Sequence, residues 1–278
     1  MTEALEVVHT RIWEEVPEAD NPFAAAACYC SGFDVYGDLL GKIGWIEYLY
    51  LLFRLEPPTA GQAALFEKLA VALANPGPRD HSVLAAMSAG VGGSTHAACL
   101  TAALAVGAGQ LGGAREVALA MDIWRDCGTD LDAWIQRLTH PLQAERADVW
   151  PDMEHPPGFD PHGAGCATPV RQTLACLAAC APGVHLRWLQ DNRVALESAA
   201  ACPLAMTGVA ASALTDLAFE GGQGEILYLL LRLPGAAAHA LEQQAYGYKR
   251  YPFFKNQLVL TDDPGPAAAQ TAQPGDTG

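Results

Sequence analysis

The chain has 278 residues, a formal net charge of −15 and 51% hydrophobic residues. That length can bury a sizeable core, as one large domain or two small ones. The negative charge excludes a nucleic-acid-binding surface, which needs a basic face. It does not exclude a local binding site for a nucleotide cofactor. No apolar run resembles a membrane span, and the acidic start MTEALEVVHTRIWEEVPEAD is unlike a signal or transit peptide. We therefore expect a cytoplasmic protein without nucleic-acid or membrane partners.

Composition indicates the fold class, and the cysteine spacing indicates the state of the thiols. Alanine and leucine dominate and β-branched runs are scarce, which favours an all-α protein. Among the eight cysteines, Cys28 and Cys30 lie two positions apart, Cys176 and Cys180 four, and no CxxC pair occurs. This spacing indicates plain buried thiols in a reducing compartment, with neither disulfides nor a metal site.

The first third of the chain is predicted to hold an acidic arm and two helices. Residues 1–20 are acidic and should be extended, while residues 32–40 form either a hairpin or a turn into the next helix. Ile46–Leu55 is amphipathic, and Thr59 is a suitable N-cap for a second helix that ends at Leu73.

Small, uncharged residues predominate between His81 and Trp124. They allow helices to pack closely, so this segment is expected at the centre of the fold or at a subunit interface. Glycine pairs at 92–93 and 112–113 should separate its helices. Later helices are predicted at Asp130–Leu142, Val170–Cys180 and Val184–Ala201. Residues 151–165 contain four prolines and three glycines and are predicted to be a loop.

Pro203–Glu242 is predicted to be a buried helical hairpin that turns at Gly221, Gly222 and Gly224. Its second half carries Arg232 and His239 among leucines and alanines. An unpaired buried charge is costly. Arg232 must therefore either pair internally, for example with Glu225 or Asp216, or face an anionic ligand.

The C-terminal part is aromatic and basic before it becomes a low-complexity tail. Lys249, Arg250 and Lys255 form a basic cluster on an acidic chain, which is either a phosphate site or a solvated face. The tail at 263–278 is predicted to be disordered.

Several motifs occur in an order that resembles the citrate synthase superfamily, and most closely its short members, the citryl-CoA lyases. They are GFDVYGDLLGKIGWIEYLYLLFRLEPP at 32–58, GPRDHS at 77–82, GQLGGAREVALAM at 109–121, GFDPHG at 158–163, and the Arg-x-Pro-Gly helix with His239 and Glu242. The resemblance covers residues 10–260. It implies a mostly helical dimer with a large domain at 1–149 and 236–262 and an inserted small domain at 150–235.

The resemblance also implies a chemistry whose usual groups are altered here. The family uses a carboxylate to remove a proton beside a thioester, and two histidines as hydrogen-bond donors. Thr207 stands at the carboxylate position. The segment Gly109–Ala114 is one residue short and lacks the first histidine, and His162 stands one residue late for the second.

Other groups would then take the catalytic roles. We expect His162, Asp160 or His239 to act in acid/base chemistry. Substrate and coenzyme A would be bound by basic side chains, namely Arg232, Arg171, His81, Arg250 and Lys249. Purely structural roles are the alternatives. His239 could be a core histidine, His81 with Asp80 a helix-start cap, and His162 and Asp160 solvated loop residues.

Two functions follow from these expectations. The first is an enzyme of citrate synthase or citryl-CoA lyase type, acting on an acyl-CoA and a di- or tricarboxylate. It needs no tightly bound cofactor, since a coenzyme A thioester is itself the substrate or ligand. The second is an inactive homologue that serves as a partner subunit or ligand sensor, either as a homodimer or with an intact paralogue.

Overall fold

A computed structural model describes residues 9–140 and 153–252, and this part of the chain is mostly helical. The predicted all-α class is confirmed. In these two ranges no helix is long and apolar enough to cross a membrane. The predicted tail at 263–278, Lys255 and the first two residues of the predicted loop 151–165 lie outside the described residues.

The N-terminal region adds a small antiparallel sheet to the helices. Strand β1 (Glu14–Pro17) pairs with β2 (Ala25–Cys30), which pairs with β3 (Phe33–Asp34). Ser31 and Gly32 join the last two strands with φ of 50° and 85°, the left-handed conformation that a two-residue hairpin turn requires. A π-helical turn at Val35–Leu39 follows, so residues 32–40 form a hairpin edge and then a turn.

Ten α-helices follow in the described residues, close to the predicted positions. They are α1 Trp45–Arg54, α2 Ala60–Leu73, α3 His81–Val91, α4 His96–Gly107, α5 Ala114–Cys127, α6 Leu131–Thr139, α7 Thr168–Cys180, α8 His185–Ala200, α9 Met206–Asp216 and α10 Gly221–Tyr246. Side-chain caps fix several starts, as at Thr59, whose hydroxyl accepts from Gln62 N. The glycine pairs at 92–93 and 112–113 lie between helices, as predicted.

Helix α10 runs through the core and corrects the predicted hairpin turn. The chain turns at 217–220, where Ala218 has a φ of 62°, and the glycines Gly221, Gly222 and Gly224 belong to α10. Gly224 packs closely against α5, since a Cβ there would lie 2.3 Å from Met121 Sδ. The predicted turn was therefore misplaced: Gly224 serves a contact with α5.

The centre of the molecule contains close helix contacts, as the small residues predicted. Helices α3, α4 and α10 share a core that includes Val83, Cys99 and Ala236. A Cβ on Gly90 would lie 2.7 Å from the Ala240 carbonyl oxygen, so α3 and α10 touch backbone to backbone. The division into a large domain and a small domain at 150–235 stays a prediction. Its second boundary falls inside α10, at Pro234, after which Gly235 N donates to Ala74 O at 2.7 Å.

Candidate functional site

Three separate segments meet at one buried carboxylate, Glu116. This residue lies in the first turn of α5, directly after the glycine loop 109–113, and only 1% of it is exposed. It accepts hydrogen bonds from Gly112 N (2.5 Å), Gly158 N (2.9 Å) and Thr207 Oγ1 (2.7 Å). His155 Nε2 lies 3.8 Å from its Oε2. We call this cluster of Glu116, Gly112, Gly158 and Thr207 the Glu116 junction.

The junction unites the segments in which the sequence resemblance expects catalytic groups. Gly112 belongs to the segment that lacks its histidine, Gly158 to the loop that carries His162, and Thr207 to the carboxylate position at the start of α9. The buried Thr207 hydroxyl donates to a carboxylate supplied by α5. Sequence reasoning missed Glu116. The available signal was a single acidic residue on the otherwise apolar face of α5.

Backbone contacts hold the loop against the start of α9. Gly158 has a φ of 91°, and its carbonyl oxygen accepts from Ala205 N at 2.9 Å. A Cβ on Gly208 would lie 2.5 Å from that same oxygen. Phe159 and Leu204 form an isolated antiparallel bridge beside it. Only glycine fits at 158 and 208, so the two segments pack backbone against backbone as one unit.

The predicted acid/base residues Asp160 and His162 lie at the outer edge of this unit. Asp160 N donates to Pro203 O at 2.8 Å, and Asp160 Oδ1 accepts from His162 N at 2.9 Å. Asp160 is half-buried, while His162 is exposed. The loop thus brings the two residues together within reach of solvent, and neither contacts Glu116.

Arg232 has an internal partner, but neither of the two that the sequence suggested. Its Nη2 pairs with Asp80 Oδ2, and only 6% of the arginine is exposed. Glu225 instead pairs with Arg115 at 3.4 Å, and Asp216 accepts from His185 Nδ1 at 2.8 Å. Those partners were wrong because α10 turns Arg232 towards the start of α3. The anion-binding role of Arg232 stays a prediction.

Asp80 combines this ion pair with a helix cap. Its Oδ1 accepts from Ser82 N (3.0 Å) and Val83 N (3.3 Å), which fixes the start of α3. The predicted helix-start cap is therefore confirmed for Asp80. His81, the first residue of α3, is exposed beside it.

His239 lies further along α10 and also contacts the segment before α3. Its Nε2 is 3.1 Å from Asn75 Oδ1, and its Nδ1 is 3.4 Å from Glu242 Oε2. Together with Arg232 and Gly235 N, His239 holds residues 74–80 against α10. Arg232 and His239, the two predicted site residues of α10, thus both have a structural role.

The remaining predicted binding residues are exposed and basic. Arg171 lies in the first turns of α7 and donates from Nη2 to Thr168 Oγ1 at 3.0 Å. Lys249 and Arg250 lie in a 3₁₀ turn at Tyr248–Arg250 after α10. None of these three side chains contacts the Glu116 junction in the part of the chain that the structure describes.

Tyr228 packs against Arg232 one helical turn further along α10. It is 3% exposed, and the guanidinium carbon of Arg232 lies 4.7 Å from the centre of its ring. Burial raises the pKa of Tyr228 to about 12; Arg232 acts to lower it, and the charges of Asp80 and Glu116 act to raise it. The phenol is therefore protonated at neutral pH. Sequence reasoning missed Tyr228, although it precedes Arg232 by one helical turn.

The space beside Arg232 is small. A cavity of about 10 Å³, bounded by Ser82, Gly107, Leu229 and Arg232 among others, has room for a single water. A larger anion can reach Arg232 only if neighbouring side chains move. A larger cavity of about 270 Å³ lies elsewhere, between the π-helical turn and α1.

Comparison with known proteins identifies the fold. No protein-family model and no curated protein matches the sequence. The solved structure of citryl-CoA lyase from Hydrogenobacter thermophilus is similar, with a TM-score of 0.72 and 17% identity over 95% of this chain and 98% of that chain. The chain has the fold of citryl-CoA lyase. The citrate synthase-like architecture expected from the motif order is thereby confirmed.

The citryl-CoA lyase fold also occurs within larger proteins that resemble this chain. An ATP citrate lyase from Methanothrix soehngenii, in complex with citrate and coenzyme A, has a TM-score of 0.67 and 17% identity. A variant ATP citrate lyase from Methanosaeta concilii, in complex with (3S)-citryl-CoA, has a TM-score of 0.67 and 15% identity. Both alignments cover 93% of this chain but only 42% of the longer one.

Proposed function

We propose that the chain binds a coenzyme A thioester together with a di- or tricarboxylate, and that it makes or breaks the carbon–carbon bond between them. The similarity to citryl-CoA lyase over nearly the whole of both chains carries this proposal. The Glu116 junction supports it, because the three segments expected to bear catalytic groups lie together.

The proposed reaction needs a base and hydrogen-bond donors. When citryl-CoA is cleaved, its hydroxyl loses a proton, the carbon–carbon bond breaks, and the electron pair moves into the thioester as an enolate. The enolate then takes a proton at carbon, which gives acetyl-CoA and oxaloacetate. The Glu116 carboxylate is occupied by three donors, so we assign acid/base roles to His162 and Asp160, and to His239 as the third candidate.

The binding roles follow charge and exposure. Arg232 is assigned to a ligand carboxylate, which would share the guanidinium with Asp80 or replace it. Arg171, His81, Lys249 and Arg250 are exposed, and they are assigned to the phosphates of coenzyme A. Residues 150–235 would form the smaller domain.

We further propose that the protein is a cytoplasmic homodimer. The outer face of α4 supports a dimer because it is uncharged and exposed at Ala97, Ala98, Thr101, Ala105 and Val106. Such a face is typical of a subunit interface. Association with an intact paralogue is the alternative to self-association.

Turnover tests the proposal. Thiol release is measured from acetyl-CoA with oxaloacetate, and loss of thioester is measured with citryl-CoA. We expect activity that is lost in His162→Ala and retained in the control His140→Ala, which removes another exposed histidine outside the junction. Ligand binding without turnover by the wild type would favour the partner subunit or ligand sensor. Absence of any binding would contradict the proposal.

A further inference from the structure

The larger cavity, of about 270 Å³, is lined entirely by residues of the stretch 33–58. Most of this lining is apolar and comes from β3, the π-helical turn, α1 and the loop before α2. The apolar residues are Phe33, Leu39, Ile43, Leu51, Pro57 and Pro58. Small-molecule sites are usually apolar clefts of about 300–1,000 Å³ with a few polar groups. The cavity therefore has room for a small organic molecule, unlike the space of about 10 Å³ beside Arg232.

Three charged side chains also line the cavity, and together they leave one negative charge unbalanced. Lys42 Nζ pairs with Asp38 Oδ1, four positions earlier in the chain. Glu47 is half-buried in the first turn of α1, and its Oε2 accepts from Gly44 N at 2.7 Å. Among residues 9–140 and 153–252, no basic side chain forms an ion pair with Glu47. The cavity thus combines apolar walls with one carboxylate whose charge is not compensated.

An apolar molecule with a single positive group is complementary to this lining. Its hydrocarbon part would be removed from water by the apolar side chains, and its ammonium group would donate to the Glu47 carboxylate. An anion is disfavoured, because Asp38 already neutralises Lys42 and the remaining charge is negative. Arg54, on the next turn of α1, pairs with Glu56 at 3.5 Å and is not part of the lining. Citrate and coenzyme A, both anionic, do not suit the cavity.

We propose that the cavity between the π-helical turn and α1 binds a small primary amine with an aromatic or branched aliphatic body, and that Glu47 binds its ammonium group. This site is separate from the Glu116 junction and from the Asp80–Arg232 pair, since none of their residues lines the cavity. The inference is therefore independent of the proposed function.

The first test is NMR titration of the full-length protein with three small probes. They are 2-phenylethylamine, 2-phenylethanol and 3-phenylpropionate, which share a phenyl ring and differ in charge. We expect the amine to bind at least tenfold more tightly than either of the others, as for a hydrogen bond between charged groups. Equal binding of all three, tighter binding of 3-phenylpropionate, or no binding of the amine would overturn the inference.

Glu47→Gln tests the role of the charge. The glutamine carbonyl can still accept from Gly44 N at the third position of α1, so the helix start is preserved. Affinity for 2-phenylethylamine should fall at least tenfold, and the melting temperature should stay close to that of the wild type. Glu67→Gln, on the exposed face of α2, is the matched control and should leave the affinity unchanged. Equal affinities in the two variants would contradict the role of Glu47.

Ile43→Trp tests whether the amine lies inside the cavity. Ile43 is half-buried, so a larger side chain can occupy the open space without displacing the core. We expect binding of 2-phenylethylamine to be lost. Binding that persists in Ile43→Trp would place the amine at the surface and would overturn the inference, even if Glu47→Gln weakens it.

Discussion

The Glu116 junction and the Asp80–Arg232 pair hold a carboxylate in two different ways, Glu116 fully buried and Asp80 partly exposed. Glu116 is held by two backbone N–H groups and a hydroxyl from three segments of the chain. Asp80 is partly held by an opposite charge on α10. The junction therefore depends on loop geometry, whereas the pair depends on two side chains. A ligand anion can compete for Arg232, but it would be repelled by Glu116.

The largest effect is expected from breaking the junction with Glu116→Gln. The glutamine amide has one acceptor oxygen and one NH₂ donor in place of two acceptor oxygens. Its NH₂ group must therefore point either at the N–H of Gly112 or at the donors of Gly158 and Thr207. At least one buried hydrogen bond is lost, and we expect a loss of about 2–3 kcal/mol in the free energy of unfolding by urea denaturation.

The control for this prediction is Glu67→Gln on the exposed face of α2. It makes the same chemical change outside any buried contact, and its unfolding free energy should change by less than about 0.5 kcal/mol. An equally small change in Glu116→Gln would contradict the account of the junction.

A smaller effect is expected from breaking the ion pair with Arg232→Met. Methionine retains much of the volume, but Asp80 loses its charged partner while keeping its bonds to the start of α3. Since Asp80 is 19% exposed, water can replace part of the interaction. We expect a loss of about 2 kcal/mol, measured by urea unfolding. The exposed Arg115–Glu225 pair supplies the comparison: Arg115→Met should stay within about 0.5 kcal/mol, and an equal loss there would refute a special role for Arg232.

Asp216 is buried like Glu116, and it accepts hydrogen bonds both from backbone N–H groups and from the His185 side chain. Its contribution to stability is expected to depend on pH. Burial acts to raise its pKa, but hydrogen bonds from the His185 side chain and from the backbone N–H groups of Leu186 and His185 outweigh that effect and lower it. A lowered pKa in the folded state stabilises the protein above the unfolded value, about 3.9, and this contribution is lost as pH falls through the folded pKa.

Asp216→Asn should therefore cost about 1–2 kcal/mol at pH 7. The difference from the wild type should shrink below about pH 4. Urea unfolding at both pH values checks this, with the exposed Asp126→Asn as the control. A difference that stays constant down to pH 3 would show that the ionised carboxylate contributes nothing.

Local signals explain why most helices could be predicted from the sequence. Thr59 caps α2 through its own hydroxyl, and the glycine pair at 92–93 ends α3, so neighbouring residues determine these boundaries. The turn predicted at Gly224 was wrong, because this glycine allows a close contact with Met121 on another helix. A glycine in the sequence indicates either a turn or a close approach, and only the fold separates the two.

The candidate site was less predictable, because its contacts are distant in the chain. Glu116 lies 42 positions from Gly158 and 91 from Thr207, and no spacing rule connects them. Arg232 was recognised as needing a partner, since buried charges are costly, but Asp80 lies 152 positions away. Motif order indicated which segments would meet, whereas the side chains at their meeting point required the structure.

Hydrogen–deuterium exchange of the wild-type protein, with and without citrate and coenzyme A, tests the central claim most directly. The account predicts slower exchange on ligand addition in four segments together: 109–116, 155–163, 204–210 and 226–233. These segments contain the Glu116 junction, Tyr228 and Arg232. Unchanged exchange, or protection confined to residues 33–58 around the larger cavity, would contradict a ligand site at the junction and the Asp80–Arg232 pair.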